Sequence, residues 1–222
     1  MKKFLAMFCF VVVAGISYNV QAAGEFILTI NTDPDTVGDD TMLIPTHVGS
    51  VYDYTVDWGD GNIESNISGD ANHTYAVAGT YQIQITGTFP RIYFNSSASA
   101  AKVVSIDQWG NNQWSSMERA FDGVTDLTVA ATDIPDLSAV TDMSYIFSNI
   151  TTFNDTGGSI PTWNISNVEN LESSFANGDF NEPIGNWNTI NVTNMNSTFS
   201  TNTGFNQPLL WNTSNVTNMG QM

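Results

Sequence analysis

One phrase recurs in the second half of the chain and limits its fold more than any other feature. Trp163-Asn164-Ile165-Ser166-Asn167-Val168, Trp187-Asn188-Thr189-Ile190-Asn191-Val192 and Trp211-Asn212-Thr213-Ser214-Asn215-Val216 are copies of one another at a spacing of 24. A fixed period in the twenties predicts a stack of supersecondary units, each burying its apolar face against its neighbours. The period extends beyond the phrase. Met117, Met143, Leu171, Met195 and Met219 recur at intervals of 26, 28, 24 and 24. Phe121, Phe147, Phe175 and Phe199 follow the first four by four residues, and Val140, Val168, Val192 and Val216 precede the last four by three.

The i, i+3, i+7 spacing of Val192, Met195 and Phe199 predicts one apolar face of a short helical segment. Leu127-Thr128-Val129-Ala130-Ala131 alternates like a strand, and Phe180 to Ile184 and Phe205 to Leu209 hold the equivalent place in later units. Each unit therefore reads as a short strand, a turn and a helical or irregular return leg, the plan of leucine-rich repeats of about 20–29 residues. Met143, Phe147, Trp163, Val168, Leu171, Phe175, Trp187, Val192, Met195, Phe199, Trp211, Val216 and Met219 are the predicted core of the stack. An aromatic ligand platform is the alternative role for them.

Residues 24–94 have a different grammar. Phe26 to Ile30 is strand-like and ends at the turn cluster Asn31-Thr32-Asp33-Pro34. Val51 to Trp58 alternates with period two, placing Tyr52, Tyr54, Val56 and Trp58 on one face and Asp53 and Asp57 on the other. Gly59-Asp60-Gly61 then supplies residues tolerant of positive φ for a hairpin. Thr80 to Thr86 alternates in the same way. Short alternating strands with turns between them predict a small β-sandwich. Asn95 to Ala101 is a small-residue stretch, so residues 95–116 read as a linker and entry to the array, and residues 117–222 as the array itself. The fold class is mainly β with short helical segments.

Address and charge narrow the function. Met1-Lys2-Lys3, an apolar run from Phe4 to Ile16 and the small-residue site Val20-Gln21-Ala22 predict a secretory signal peptide over residues 1–22. As a membrane anchor the run falls short of the roughly 20 residues a span needs. Cleavage there leaves Arg91, Lys102 and Arg119 against 22 acidic residues, a formal charge of −19, and removes Cys9, the one cysteine. A chain without cysteine has no disulfide, thiolate nucleophile or cysteine metal site. Three scattered cations exclude nucleic acid, whose phosphates need clustered Lys and Arg, and exclude electrostatic attraction to anionic lipid. The acidity keeps a secreted protein soluble by self-repulsion, or its carboxylates recruit calcium.

Two families are resembled. Val56-Asp57-Trp58-Gly59-Asp60-Gly61 followed by His73-Thr74-Tyr75 through Gly79-Thr80-Tyr81 resembles the polycystic-kidney-disease-type domain of bacterial surface proteins. That resemblance implies a spacer or ligand-contact module. Phe205-Asn206-Gln207-Pro208 with Trp211 through Met219 is similar to the repeat of BspA-like leucine-rich-repeat surface proteins, as is the lead-in from Ser105 through Trp114 to Met117. It implies a secreted or surface-attached protein engaged in adhesion to host or matrix proteins.

Candidate chemistry is sparse. Asn167, Asn191 and Asn215 fall in register, as do Asn170, Asn194 and Asn218. An amide that both donates and accepts satisfies backbone groups at turns; a polar row for glycan is the alternative. Asn181 and Asn206 are candidate ligand residues by analogy with the concave surfaces of other solenoids. Asp33, Asp35, Asp39 and Asp40 around Gly38 offer hard oxygen ligands suited to calcium, with a solvated acidic loop as the alternative. No other cofactor is expected. Only His47 and His73 are present, and no nucleophile elbow, zinc helix or phosphate loop appears, so no enzyme is expected. The last copy stops at Met222, one residue before the Phe of its pattern, and reads as an array cut short. The expected function is a secreted or surface protein that binds an extracellular protein or polysaccharide through the array; the alternative is a structural spacer.

Overall fold

The computed structural model describes residues 24–32 and 40–222. The expected signal peptide, together with Asp33, Asp35 and Asp39, lies outside these residues. The described chain is mainly β. Its strands are β1 (Phe26–Asn31), β2 (Thr41–Ile44), β3 (Asp53–Asp57), β4 (Ile63–Ile67), β5 (Ala71–Thr74), β6 (Thr80–Thr88), β7 (Val103–Gln108), β8 (Asp126–Val129) and β9 (Thr152–Asn154).

Seven of them form one sheet in the order β4-β3-β6-β1-β7-β8-β9, and β2 pairs with β5 in a second. Period-two patterning puts Tyr54, Val56, Ile83 and Ile85 into the space between the sheets. There Phe26, Tyr54, Phe89 and Trp114 form edge-on and stacked ring contacts. The turn after β3 needs glycine: Gly59 sits at φ 80°, and a Cβ there would lie 2.4 Å from the Gln82 carbonyl oxygen.

Strand β7 changes the character of the sheet. One of its edges pairs antiparallel with β1, matching Leu28 to Ile106 and Thr29 to Ser105. The other pairs parallel with β8, matching Ser105 to Thr128 and Ile106 to Val129, and β8 pairs parallel with β9. Both halves of the chain consequently share one hydrophobic cluster. The small-residue stretch before β7 is packed: the amides of Phe94, Asn95 and Ser96 donate to the carbonyls of Ala120, Arg119 and Asp122. Ser99 Oγ accepts from the Leu43 amide, and Lys102 Nζ donates to the Thr41 carbonyl.

The return legs of the repeated units are not helical, against the expectation from the 3-and-4 spacing. Each is a run of tight turns. In the first unit the amides of 117, 119, 121 and 123 donate to the carbonyls of 142, 144, 146 and 148 in the next unit. The amides of 143, 145, 147 and 149 reach 170, 172, 174 and 176 in the same way, and those of 171, 173, 175 and 177 reach 194, 196, 198 and 200. Intervening amides close turns within the unit, as in Ile146 to Met143 and Ser148 to Tyr145. A helix would send each amide four residues back along its own chain; here alternate amides leave for the neighbour. The alternation needs left-handed residues four apart, found at Arg119 and Gly123, Tyr145 and Asn149, Ser173 and Asn177, and Ser197 and Thr201. Because the turn layer also returns a side chain to the core at every third or fourth position, it imitates the apolar spacing of a helix.

The strand leg fades outward as well. Units one and two contribute β8 and β9, whereas Phe180–Ile184 and Phe205–Leu209 carry no strand. Side chains of the third unit take the place of its backbone. Asp179 Oδ1 accepts from the Phe153 amide, Glu182 Oε1 from the Asp155 amide, and Asn181 Oδ1 from the Asn206 amide. The sheet ends at β9 because its outward amides are already satisfied.

Apolar columns run through the stack. Met117, Met143, Leu171 and Met195 are buried, as are Phe121, Phe147, Phe175, Val140, Val168 and Val192. Burial contributes about 1.5–3 kcal/mol for each such side chain. Trp163, Trp187 and Trp211 stack nearly parallel, at 6.2 Å and 8° and then 6.5 Å and 2°. Phe199, Trp211 and Val216 are only partly covered, and Met219 is exposed.

Candidate functional site

The repeated phrase pairs its indole nitrogen in two of its three copies, while Trp163 Nε1 is buried without a partner. Trp187 Nε1 donates to the Ile160 carbonyl and Trp211 Nε1 to the Ile184 carbonyl, each in the preceding unit. The next residue closes a side-chain turn: Asn164 accepts from Ser166, Asn188 from Ile190 and Asn212 from Ser214. Three positions on, Asn167, Asn191 and Asn215 donate Nδ2 to the carbonyls of Ser138, Ser166 and Ile190 at 2.7 to 2.8 Å. Asn170 and Asn194 repeat the side-chain turn, in register with Asp142, whose Oδ1 accepts from Ser144. Stacking thus occupies Asn167, Asn191 and Asn215, and local turns occupy Asn164, Asn188 and Asn212.

A further ladder climbs the left-handed positions. Asp122 is 1% exposed and pairs with Arg119 at 2.8 Å. Its other oxygen accepts from Asn149, Asn149 accepts from Asn177, and Asn177 accepts from the Thr201 hydroxyl. Arg119 also lies 4.0 Å from the centre of the Tyr145 ring. Sequence reasoning missed this ladder because its members are spaced by the unit and differ in type. The Asn149 and Asn177 pair was its one legible trace.

The two candidate ligand residues stand in adjacent units. Asn181 and Asn206 are exposed. Asn181 uses Oδ1 for the Asn206 amide at 2.9 Å and for Gln207 Nε2 at 3.3 Å. Its Nδ2 and the side-chain amide of Asn206 have no partner among the described residues. They belong to irregular segments rather than to the strands expected for them.

Of the proposed calcium loop only Asp40 is described. It is half-buried and its carbonyl accepts from the Tyr75 amide. Among the described residues no three His, Cys, Asp or Glu side chains come together as metal ligands. Carboxylates instead close backbone turns. Asp133 accepts from the amides of Trp109 and Gly110, and Asp155 from those of Gly158, Ser159 and Ile160. An aspartate preceding Gly157-Gly158 was the sequence signal for the second.

Both histidines are packed. His73 stacks on Trp58 at 4.9 Å, meets Tyr75 edge-on, and approaches Asp60 Oδ2 at 2.9 Å through Nε2. Burial works to raise the Asp60 carboxyl, but hydrogen bonds from His73 and Asn62 outweigh it and hold the group below the usual carboxylate range. His47 meets the Tyr93 ring edge-on at 4.9 Å. Glu182 behaves oppositely to Asp60: burial raises its carboxyl and nearby Asp155 adds to the effect, while the Asp155 amide only partly offsets them.

A shallow cleft of about 290 Å³ lies beside the first unit, lined by Gly110, residues 134–138 and Asn164. Its polar side chains serve local turns: Asp136 accepts from the Ser138 amide, Ser138 Oγ from Gln113, and Asn164 from Ser166. Among the described residues no helix is long and apolar enough to cross a membrane.

Residues 115–222 match the model of a family described as Mycoplasma protein of unknown function, DUF285. The match begins two residues before Met117, where the first stacked unit opens, and runs through residue 222. No curated protein and no solved structure matches the chain.

Proposed function

We propose that this is a secreted or cell-surface protein that binds an extracellular protein or polysaccharide through its stacked half. The stack is read as a leucine-rich-repeat-like solenoid of BspA type and the N-terminal half as a polycystic-kidney-disease-type sandwich that carries it. The match over residues 115–222 is compatible with a cell-surface protein. The observation that carries the reading is the unused amide chemistry of Asn181 and Asn206. Asn181 presents an unbonded Nδ2 and Asn206 an unbonded side-chain amide, from adjacent units on an exposed surface. An amide that donates and accepts suits hydroxyl-rich glycans and peptide backbone alike.

The role is binding rather than catalysis. Both histidines are held by aromatic neighbours, and the Asp60 carboxylate completes the sandwich turn. The competing reading is a spacer with no ligand of its own, favoured by the full use of the repeated phrase in stacking. The chain, screened against immobilised matrix proteins and a polysaccharide panel, is expected to bind a subset of them. Asn206→Ala should weaken that binding at least tenfold without lowering the melting midpoint, and adding Asn181→Ala, which also removes the acceptor of the Asn206 backbone amide, should weaken it further and lower the midpoint. A flat response across the panel would favour the spacer.

A further inference from the structure

We propose that the N-terminal sandwich is the folding template and standing cap of the stack. Order spreads outward from β7 unit by unit, and the array has no folded state once the sandwich is open. The first unit is built on surfaces that the sandwich supplies. Its strand β8 has β7 as inner partner, and β7 is itself held on its other edge by β1. Its turn layer offers the carbonyls of Ala120 and Asp122, which the amides of Phe94 and Ser96 occupy as a preceding unit would, and Asn95 adds a bond to the Arg119 carbonyl. Its apolar column is closed by Phe94 and Trp109, whose rings lie 6.1 Å and 5.9 Å from Phe121.

Each later unit rests on the one before it, and the second also reaches back to Trp109, whose ring meets that of Trp163 edge-on at 5.3 Å. The amides of one turn layer reach the carbonyls of the next, and the ring columns continue from Phe121 to Phe147 to Phe175 to Phe199. A lone unit cannot bury its apolar face, so growth requires a preformed neighbour. The sandwich also has pairings of its own: β3 lies between β4 and β6, β6 pairs with β1, and β2 with β5.

Pulsed hydrogen–deuterium labelling of the full chain across a urea series, read by region, tests this order. The outer turn layers 171–177 and 195–201 should label first, then 117–123, and strands β1, β3 and β6 last. Val192→Ala should lower the urea midpoint of the outer layers and leave that of β1 and β6 unchanged. Ile83→Val and the more severe Ile83→Ala should lower the sandwich midpoint, and no molecule should have a labelled sandwich with a protected array. A population of that kind in any of these proteins would overturn the proposal. So would a single transition in which all regions label together in every variant.

Discussion

Asn191 Nδ2 donates to the backbone carbonyl of Ser166, 25 residues earlier, at 2.7 Å. The same bond joins Asn167 to Ser138 and Asn215 to Ile190, so one side chain per unit clips it to the unit before. Truncation at Asn191→Ala should cost about 1 kcal/mol, the net worth of one such bond. Asn191→Asp should cost about twice that, because a carboxylate oxygen would face the Ser166 carbonyl with no proton between them. For a chain of this length each kcal/mol lowers the melting midpoint by about 2–4 °C. Thermal melts of the two variants check this, and an Asp variant as stable as wild type would remove the clip from the account.

Close approach between units makes a second requirement. A Cβ on Gly157 would lie 2.0 Å from the Ala131 carbonyl oxygen, while one on Gly69 would meet nothing within 4 Å. Gly157→Ala should therefore destabilise by about 1–3 kcal/mol, the usual cost of overpacking. Gly69→Ala should leave the midpoint within error of wild type. Urea denaturation compares the pair, and a silent Gly157→Ala would mean that the neighbouring unit can shift aside.

Two carboxyl groups should give stability opposite pH dependences. Asp60 has its folded-state pKa lowered by hydrogen bonds from His73 and Asn62. Its contribution is present above the ordinary aspartate value and is lost as pH falls through the folded value. Glu182 has its pKa raised by burial and by Asp155. It favours the fold below the ordinary glutamate value and loses that contribution as pH rises through the folded value. Asp60→Asn should flatten the acid limb of a plot of urea midpoint against pH. Glu182→Gln should match wild type in acid and equal or exceed it at neutral pH. Parallel profiles for wild type and both variants would contradict the assigned environments.

The period was legible in the sequence because apolar residues in a stack must recur at the same height, and the Trp, Phe, Met and Val columns obey that rule. Strands β3 and β6 were legible for the same reason at period two, whereas β2, β4 and β5 were not anticipated. The turn layer was not. Side chains at Val192, Met195 and Phe199 reach the core from consecutive turns as they would from a helix, and what separates the two is left-handed backbone at Ser197 and Thr201. Neither residue type announces that conformation. The loss of strands beyond β9 was hidden too, since it turns on Asp179, Asn181 and Glu182 accepting backbone amides. At the candidate site the exposure of Asn181 and Asn206 could be guessed, but their sharing of one hydrogen bond could not.

Thr201 is where the ladder of left-handed residues is least well served. Asn149 and Asn177 occupy the equivalent place at φ 61° and 57°, and Thr201 holds φ 55°. Asparagine tolerates that region, whereas a β-branched side chain crowds the following carbonyl. Asn177 Nδ2 already donates to Asn149 Oδ1 at 3.0 Å, and an asparagine at 201 could repeat that bond to Asn177 Oδ1, which now accepts from the Thr201 hydroxyl. Thr201→Asn should stabilise the chain by about 1 kcal/mol and raise the midpoint by about 2–4 °C. The reciprocal change Asn177→Thr should destabilise by at least as much, because position 177 is bonded on both sides. Differential scanning calorimetry of the two variants decides the matter: a lowered midpoint for Thr201→Asn would show that the rung at 201 is set by its hydroxyl and not by its backbone.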